Sequence, residues 1–272
     1  MQVQNHARLR DNKREDTSKG IENQLTSAHI APQKWTAHEF KRLVLDGNPK
    51  IAVFDCDGTL WGGDAGSGFM IWSIEQGLIS RPMIDWIEAR YRAYQDGKVN
   101  ELEICGDMVK IYAGLRDQEV RDAAARYMAE FLPSRLFADL AGLISSLQLA
   151  GTEIWAVSST NKWVVAEGVR PFGIPEDRIL AAELRVKDGL ITSEIVDVPT
   201  GAGKAAALTC VGIPHPDAVF GNSLHDLAML QMARHAFPVN PSPALLEAAA
   251  AQGWGYFTPL TALDTQAAVG GE

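Results

Sequence analysis

The chain has little cysteine, no excess of positive charge and no long apolar run. Each absence excludes something. Only Cys56, Cys105 and Cys210 occur; they are far apart and odd in number, so they give no disulfide framework and no metal-binding spacing. Free thiols in a reducing cytoplasm are the simplest reading. The formal net charge of -9 lacks the basic face that a nucleic-acid partner needs, while leaving room for a local basic pocket that takes an anion. No apolar run is long enough to span a membrane. The first thirty residues lack the apolar core of a signal peptide. They mix Arg8, Arg10, Lys13 and Arg14 with Asp11, Glu15 and Asp16, unlike an acid-poor transit peptide. Residues 1–33 are expected to form a disordered tail. Internal repeats and low-complexity segments are also missing.

What is present is a globular chain of 272 residues, 46% apolar, enough for one large domain or for a core with an inserted cap. Its focus is Ile51-Ala52-Val53-Phe54-Asp55-Cys56-Asp57-Gly58-Thr59. The apolar run predicts a buried strand, and both carboxylates then sit at its carboxyl end, where open α/β sheets place their ligands. Asp-x-Asp-Gly also serves as an ordinary turn or opens a calcium loop, but Leu60 and Trp61 break the oxygen series that calcium requires. A carboxylate can attack phosphorus to form an aspartyl phosphate. A second carboxyl two residues on can protonate the leaving group and later deprotonate water. Asp55 and Asp57 meet both needs, since residues two apart on a strand face the same way. Cys56 faces away, towards packing.

Taken in order, Trp35 to Leu45 suits an amphipathic helix with Thr36 as cap and Gly47 as stop. Residues 62–132 carry a Gly-rich loop, then apolar residues at helical spacing, including stretches at 101–114 and 117–131, with no strand signal. A helical insert directly after the first strand would stand over that strand's carboxyl end and could close it against water; a helical subdomain without gating is the plainer alternative. Residues 134–150 read as a helix capped by Ser134. Glu153 to Ser158 predicts a second apolar strand, and short strands follow at 178–184, 190–196, 218–220, 235–239 and 253–257, with helices between. This alternation predicts a parallel sheet with helices on both faces.

Three further stretches supply partners. Ser158, Ser159 and Thr160 end their strand with hydroxyls able to bond a phosphoryl oxygen, and Ser-Ser-Thr-Asn would also cap the helix that follows. Lys204, in Gly201-Ala202-Gly203-Lys204, could screen repulsion between phosphate and the two carboxylates. Its surroundings are not a P-loop, because Val198 and Ala205 stand where that pattern needs glycine and a hydroxyl. The third stretch is Gly221-Asn222-Ser223-Leu224-His225-Asp226.

These four stretches, in this order, resemble the four motifs of the haloacid dehalogenase (HAD) superfamily. Val239-Asn240-Pro241 and Gln252-Gly253-Trp254 resemble its phosphoserine-phosphatase-like branch. The resemblance implies a Rossmann-like α/β core at 34–65 and 132–265, with a helical cap at 66–131. It implies a Mg2+-dependent hydrolase that cleaves a small phosphorylated metabolite through an aspartyl phosphate. Asp55 would be nucleophile and Asp57 acid and base; Ser158, Ser159 and Lys204 would bind the phosphoryl group. Asp55, Asp57, Asn222 and Asp226 would attend the metal. Asn222 replaces the aspartate usual in the family, which motivates the alternative of a non-catalytic phosphate-ester binding protein. Asp64 stands nine residues after the nucleophile, where the branch places an acid for the substrate amine; a turn residue is the plainer reading. The branch also uses a cap arginine for a substrate carboxylate. The matching helix, 103–115, has none. Lys110, Arg90 and Arg92 are the nearest candidates, and phosphoserine is not assigned.

Overall fold

A computed structural model describes residues 31–261. The expected disordered tail lies outside the described residues over 1–30, as do the last four residues of the expected core, 262–265. In chain order the elements are β1 (Lys34–Trp35), α1 (Ala37–Asp46), β2 (Ile51–Phe54), α2 (Ala65–Glu75), α3 (Arg81–Gln95), α4 (Glu101–Lys110), α5 (Asp117–Arg135) and α6 (Ala138–Leu149). Then come β3 (Glu153–Asn161), α7 (Lys162–Val169), β4 (Ile179–Lys187), β5 (Leu190–Asp197) and α8 (Ala202–Cys210). The chain closes with β6 (Ala218–Gly221), α9 (Leu227–Gln231), β7 (His235–Pro238), α10 (Pro243–Gln252) and β8 (Tyr256–Phe257).

The main sheet has six strands in the order β5-β4-β3-β2-β6-β7. All neighbours run parallel except the edge pair β4 and β5, an antiparallel hairpin. This is an α/β fold of the Rossmann-like kind, and the consecutive strands expected at 178–184 and 190–196 form its antiparallel edge hairpin around Asp188-Gly189. Strand periodicity divides the core in two. Ala52, Phe54, Ile154, Ala156, Ala218 and Phe220 face one cluster, where Phe54 stacks on Phe220 at 4.1 Å. Val53, Trp155, Val157 and Val219 face the other. β2 lies central, flanked by β3 and β6, so its carboxyl end opens into the middle of the sheet's upper edge.

The helices α2 to α5 intervene between β2 and α6. Val99, Ile104, Val109, Tyr112 and Val120 join the same apolar cluster as the sheet face. Thr36 caps α1 in a reciprocal box with Glu39, and Asn100 does the same for α4 with Glu103.

Three boundaries differ from expectation. Ser134 does not cap a helix: it lies inside α5, which runs through Pro133 to Arg135. Pro133 removes one hydrogen bond in the last turn, but Leu132 is buried and Arg135 O accepts from Gly62 N at 2.8 Å, so tertiary contacts hold the turn. β3 extends to Asn161, taking the Ser-Ser-Thr run into the strand; Asn161 itself caps α7, accepting from Val164 N at 3.0 Å. The last strand joins β1, not the main sheet, and Gln33 O accepts from Tyr256 N, so ordered pairing begins one residue before 34. Among the described residues no helix is long and apolar enough to cross a membrane.

Candidate active site

β2 ends at Phe54, and the ladder continues one step through Asp55 N, which donates to Phe220 O at 3.0 Å. The Asp55 carboxylate is buried. Its Oδ1 receives Lys204 Nζ at 2.7 Å and its Oδ2 receives Thr59 Oγ1 at 2.8 Å. Lys204, on the first turn of α8 and equally buried, also reaches Asp226 Oδ1 at 2.6 Å. One ammonium thus joins two carboxylates that would otherwise repel. Burial opposes the Lys204 charge, but Asp226 and Asp55 together outweigh it and hold its pKa above the usual lysine value. Burial first, and the Asp226 charge second, push Asp55 up to about 7 against the pull of Lys204.

Asp57 is held by different donors. Its Oδ1 accepts from Trp61 Nε1 at 2.7 Å and Ala65 N at 2.8 Å, and its Oδ2 accepts from Thr160 Oγ1 at 2.6 Å. Burial and then Asp64 raise it to about 6. A carboxyl with that value can carry a proton near neutral pH and give it up, as a general acid and base must.

Gly58 is required for two reasons. Its φ is +80°, and a Cβ there would stand 1.8 Å from Asn222 Nδ2. Asn222 is therefore packed against the turn that carries the two aspartates. Asn240 Nδ2 donates to Gly58 O at 3.2 Å, and Ser242 N to Asn222 O at 2.7 Å, so the segment after β7 ties both turns together.

Asp226 is fully buried, and its second oxygen accepts from Asn222 N at 2.9 Å and Ser223 N at 3.0 Å. Asp57 and Asp226, expected among the metal's ligands, thus give both carboxylate oxygens to protein donors. Among the described residues no group of three His, Cys, Asp or Glu side chains is placed to hold a metal. Each Asp55 oxygen accepts one bond, as do Asp57 Oδ2 and Asp226 Oδ1, so each keeps a lone pair, and Asn222 adds an amide oxygen. This all-oxygen set fits a cation such as magnesium, which retains waters and binds through one or two carboxylates plus substrate phosphate.

A cavity of about 580 Å³ opens over these groups. Asp55, Asp57, Asp64, Ser158, Ser159, Lys204 and Asn222 all line it; Asp226 lies beneath, behind Lys204. Its far wall is α3 and α4, through Tyr91, Tyr94, Glu101, Cys105 and Met108. Ser158 is buried, and its Oγ accepts from Thr160 N at 3.2 Å. Asp64 caps α2, accepting from Ser67 N at 2.8 Å and Ser67 Oγ at 2.6 Å. The three candidates for a carboxylate-binding cation do not line the cavity: Arg90 bonds Asp107 at 2.5 Å, Lys110 lies 3.4 Å from the same carboxylate, and Arg92 pairs with Glu88. Sequence reasoning missed Trp61 and Thr160 as partners of Asp57. Trp61, four residues on from Asp57, was the available signal.

The family model for haloacid dehalogenase-like hydrolases matches residues 52–231. The chain belongs to the haloacid dehalogenase-like hydrolase family. A histidinol-phosphatase of Neisseria meningitidis is 25% identical over 215 residues, covering 75% of this chain and 96% of that one. A Bordetella pertussis protein of unknown function has a similar structure, with TM-score 0.66 and 23% identity over 76% of this chain and 97% of that chain. A substrate-bound phosphoserine phosphatase superposes with TM-score 0.52 and 19% identity, covering 82% of this chain and 97% of that chain. These structural likenesses show that the fold is shared.

Proposed function

We propose that the protein is a magnesium-dependent phosphomonoesterase that hydrolyses a small phosphorylated metabolite through an aspartyl phosphate on Asp55. One observation carries this reading: a buried carboxylate, clamped by Lys204 and Thr59, shares one cavity with a second carboxyl raised to about 6. The name of the Neisseria relative supports a phosphate ester as substrate.

In this mechanism an Asp55 oxygen attacks phosphorus, and the bond from phosphorus to the ester oxygen breaks. Asp57 gives its proton to the departing alcohol. Asp57, now a carboxylate, takes a proton from water as that water attacks the aspartyl phosphate, and Asp55 is released. Lys204 offsets the negative charge gathered around Asp55. Ser158 and Ser159 bond phosphoryl oxygens. Asp55 and Asn222 would hold Mg2+, which neutralises phosphate charge when bound. Asp226 positions Lys204 and the Asn222 turn. The helical segment 66–131, extended to the end of α5, acts as a cap over a core built from 34–65 and the chain beyond α5. A reducing cytoplasm suits the three free cysteines, and the reading requires neither nucleic acid nor membrane as partner.

The test is turnover of p-nitrophenyl phosphate with and without magnesium. Magnesium-dependent release of nitrophenol is expected. Silence at every magnesium concentration, with phosphate esters still bound, would overturn catalysis and return the chain to a phosphate-ester binding protein, the reading that the neutral Asn222 favours.

A further inference from the structure

The wall of the cavity opposite Asp55 has an unusual charge balance. Four carboxylates line the cavity, Asp55, Asp57, Asp64 and Glu101, against the ammonium of Lys204 and the imidazole of His225. Asp55 and Lys204 offset each other, and Asp57 is given over to Trp61, Ala65 and Thr160. Asp64 spends both oxygens on Ser67 at the start of α2. Glu101 is different. It opens α4 and projects from the insert towards the core. Its Oε2 accepts from Tyr94 Oη at 2.6 Å, which fixes the carboxylate's orientation. Its Oε1 meets only longer contacts, Cys105 Sγ and His225 Nε2, each at 3.8 Å. Tyr91 lines the same cavity, its ring centroid 6.1 Å from that of Tyr94 and the planes tilted by 55°.

A carboxylate oriented by a phenol, in a cavity that the rings of Tyr91 and Tyr94 also line, suits a cation: the carboxylate supplies charge and aromatic surroundings favour a cation over an anion. Among the described residues Arg90, Arg92 and Lys110, the candidates for a substrate carboxylate, are held in ion pairs and do not line the cavity. Resting on the phosphatase reading above, we infer that Glu101, with Tyr91 and Tyr94, reads a positively charged nitrogen on the substrate. The substrate class is then the phosphate ester of an amino alcohol without a carboxylate. The reader is Glu101 on the insert rather than Asp64 in the loop.

The test compares O-phosphoethanolamine with its N-acetyl derivative, which keeps the ester and removes the charge, and with O-phosphoserine, which adds a carboxylate. In the parent, kcat/KM should favour phosphoethanolamine over the acetylated ester by about tenfold or more, the range of a charged hydrogen bond, and phosphoserine should be the poorer of the two amines. In Glu101→Gln the ratio of amine to acetylated ester should fall towards one, and Glu101→Asp should restore part of it. A Glu101→Gln variant that slows both esters equally and keeps their ratio would show a structural latch to His225 instead. A parent preference for phosphoserine would overturn the exclusion of a carboxylate. Calorimetric Kd values for the same esters on Asp55→Asn, with and without Glu101→Gln, give the same ratio without turnover. A parent that hydrolyses none of these esters while the binding ratio on Asp55→Asn holds would overturn the phosphatase reading alone; absence of that ratio would overturn the role of Glu101.

Discussion

Asp57→Asn should make the protein more stable while disabling it. The Asp57 carboxyl lies among Trp61, Ala65, Thr160 and Asp64, and burial with the Asp64 charge raises its pKa from 3.8 to about 6. Because the folded value exceeds the unfolded one, the folded state binds more protons across that window. Stability therefore falls as pH rises from about 4 to about 6, and above that the penalty is complete. At ~1.4 kcal/mol per pKa unit, the ceiling is about 3 kcal/mol; partial exposure of the group lowers this to ~2 kcal/mol. Asparagine fits the same contacts: its amide oxygen can accept from Trp61 and Ala65, and its amide nitrogen can donate to Thr160 Oγ1, which is itself an acceptor. The expected gain in Tm at pH 8, without metal, is roughly 4–8 °C, vanishing near pH 4. Scanning calorimetry of both proteins across pH 4–8 measures it. An unchanged or lower Tm for Asp57→Asn at pH 8 would refute the claim that this carboxylate is held at a cost to the fold.

Asn222→Asp should lower the magnesium concentration needed for half-maximal rate, since a second carboxylate attracts the ion more strongly than a neutral amide; initial rates against magnesium report it, and a higher requirement would place Asn222 outside the metal's surroundings. Gly58→Ala should destabilise by about 2 kcal/mol or more, from positive φ and from the Asn222 amide in the path of Cβ. Denaturant midpoints measure that loss, and a neutral effect would mean the turn relaxes freely.

Much of this architecture was legible because chemistry and local geometry coincide in the sequence. The buried run before Asp55 reads as a strand, Asp55 follows it, Ser158 lies towards the carboxyl end of β3 and Lys204 stands in the first turn of α8, so a parallel sheet brings them to one edge. Thr36 and Gly47 bounded α1 through interactions within a single turn. The failures have a common cause in contacts between segments distant in sequence. A new helix is expected to start at Ser134, yet Gly62 and buried Leu132 hold α5 unbroken to Arg135. Of the Ser-Ser-Thr-Asn run read as a cap, only Asn161 caps α7, because the strand continues past Ser159 and Thr160 through an irregular stretch to the Asn161–Ala182 pair with β4. Asp226 reads as a residue attending the metal, and its bonds to Lys204 and two backbone amides could not be read from its own stretch. Glu101 gave no signal at all, because a glutamate at the start of a helix is commonplace until Tyr94 and the cavity are placed beside it.

The most direct measurement of phosphoryl transfer through Asp55 is peptide mapping of acid-quenched enzyme taken during turnover with magnesium. One phosphoryl group, labile to hydroxylamine as an acyl phosphate is, should map to the peptide containing Asp55. It should accumulate further in Asp57→Asn with a good leaving group, whose departure needs little protonation while water attack still needs a base. It should be absent in Asp55→Asn. A phosphoryl group on another residue, or turnover retained by Asp55→Asn, would contradict a covalent mechanism at this carboxylate.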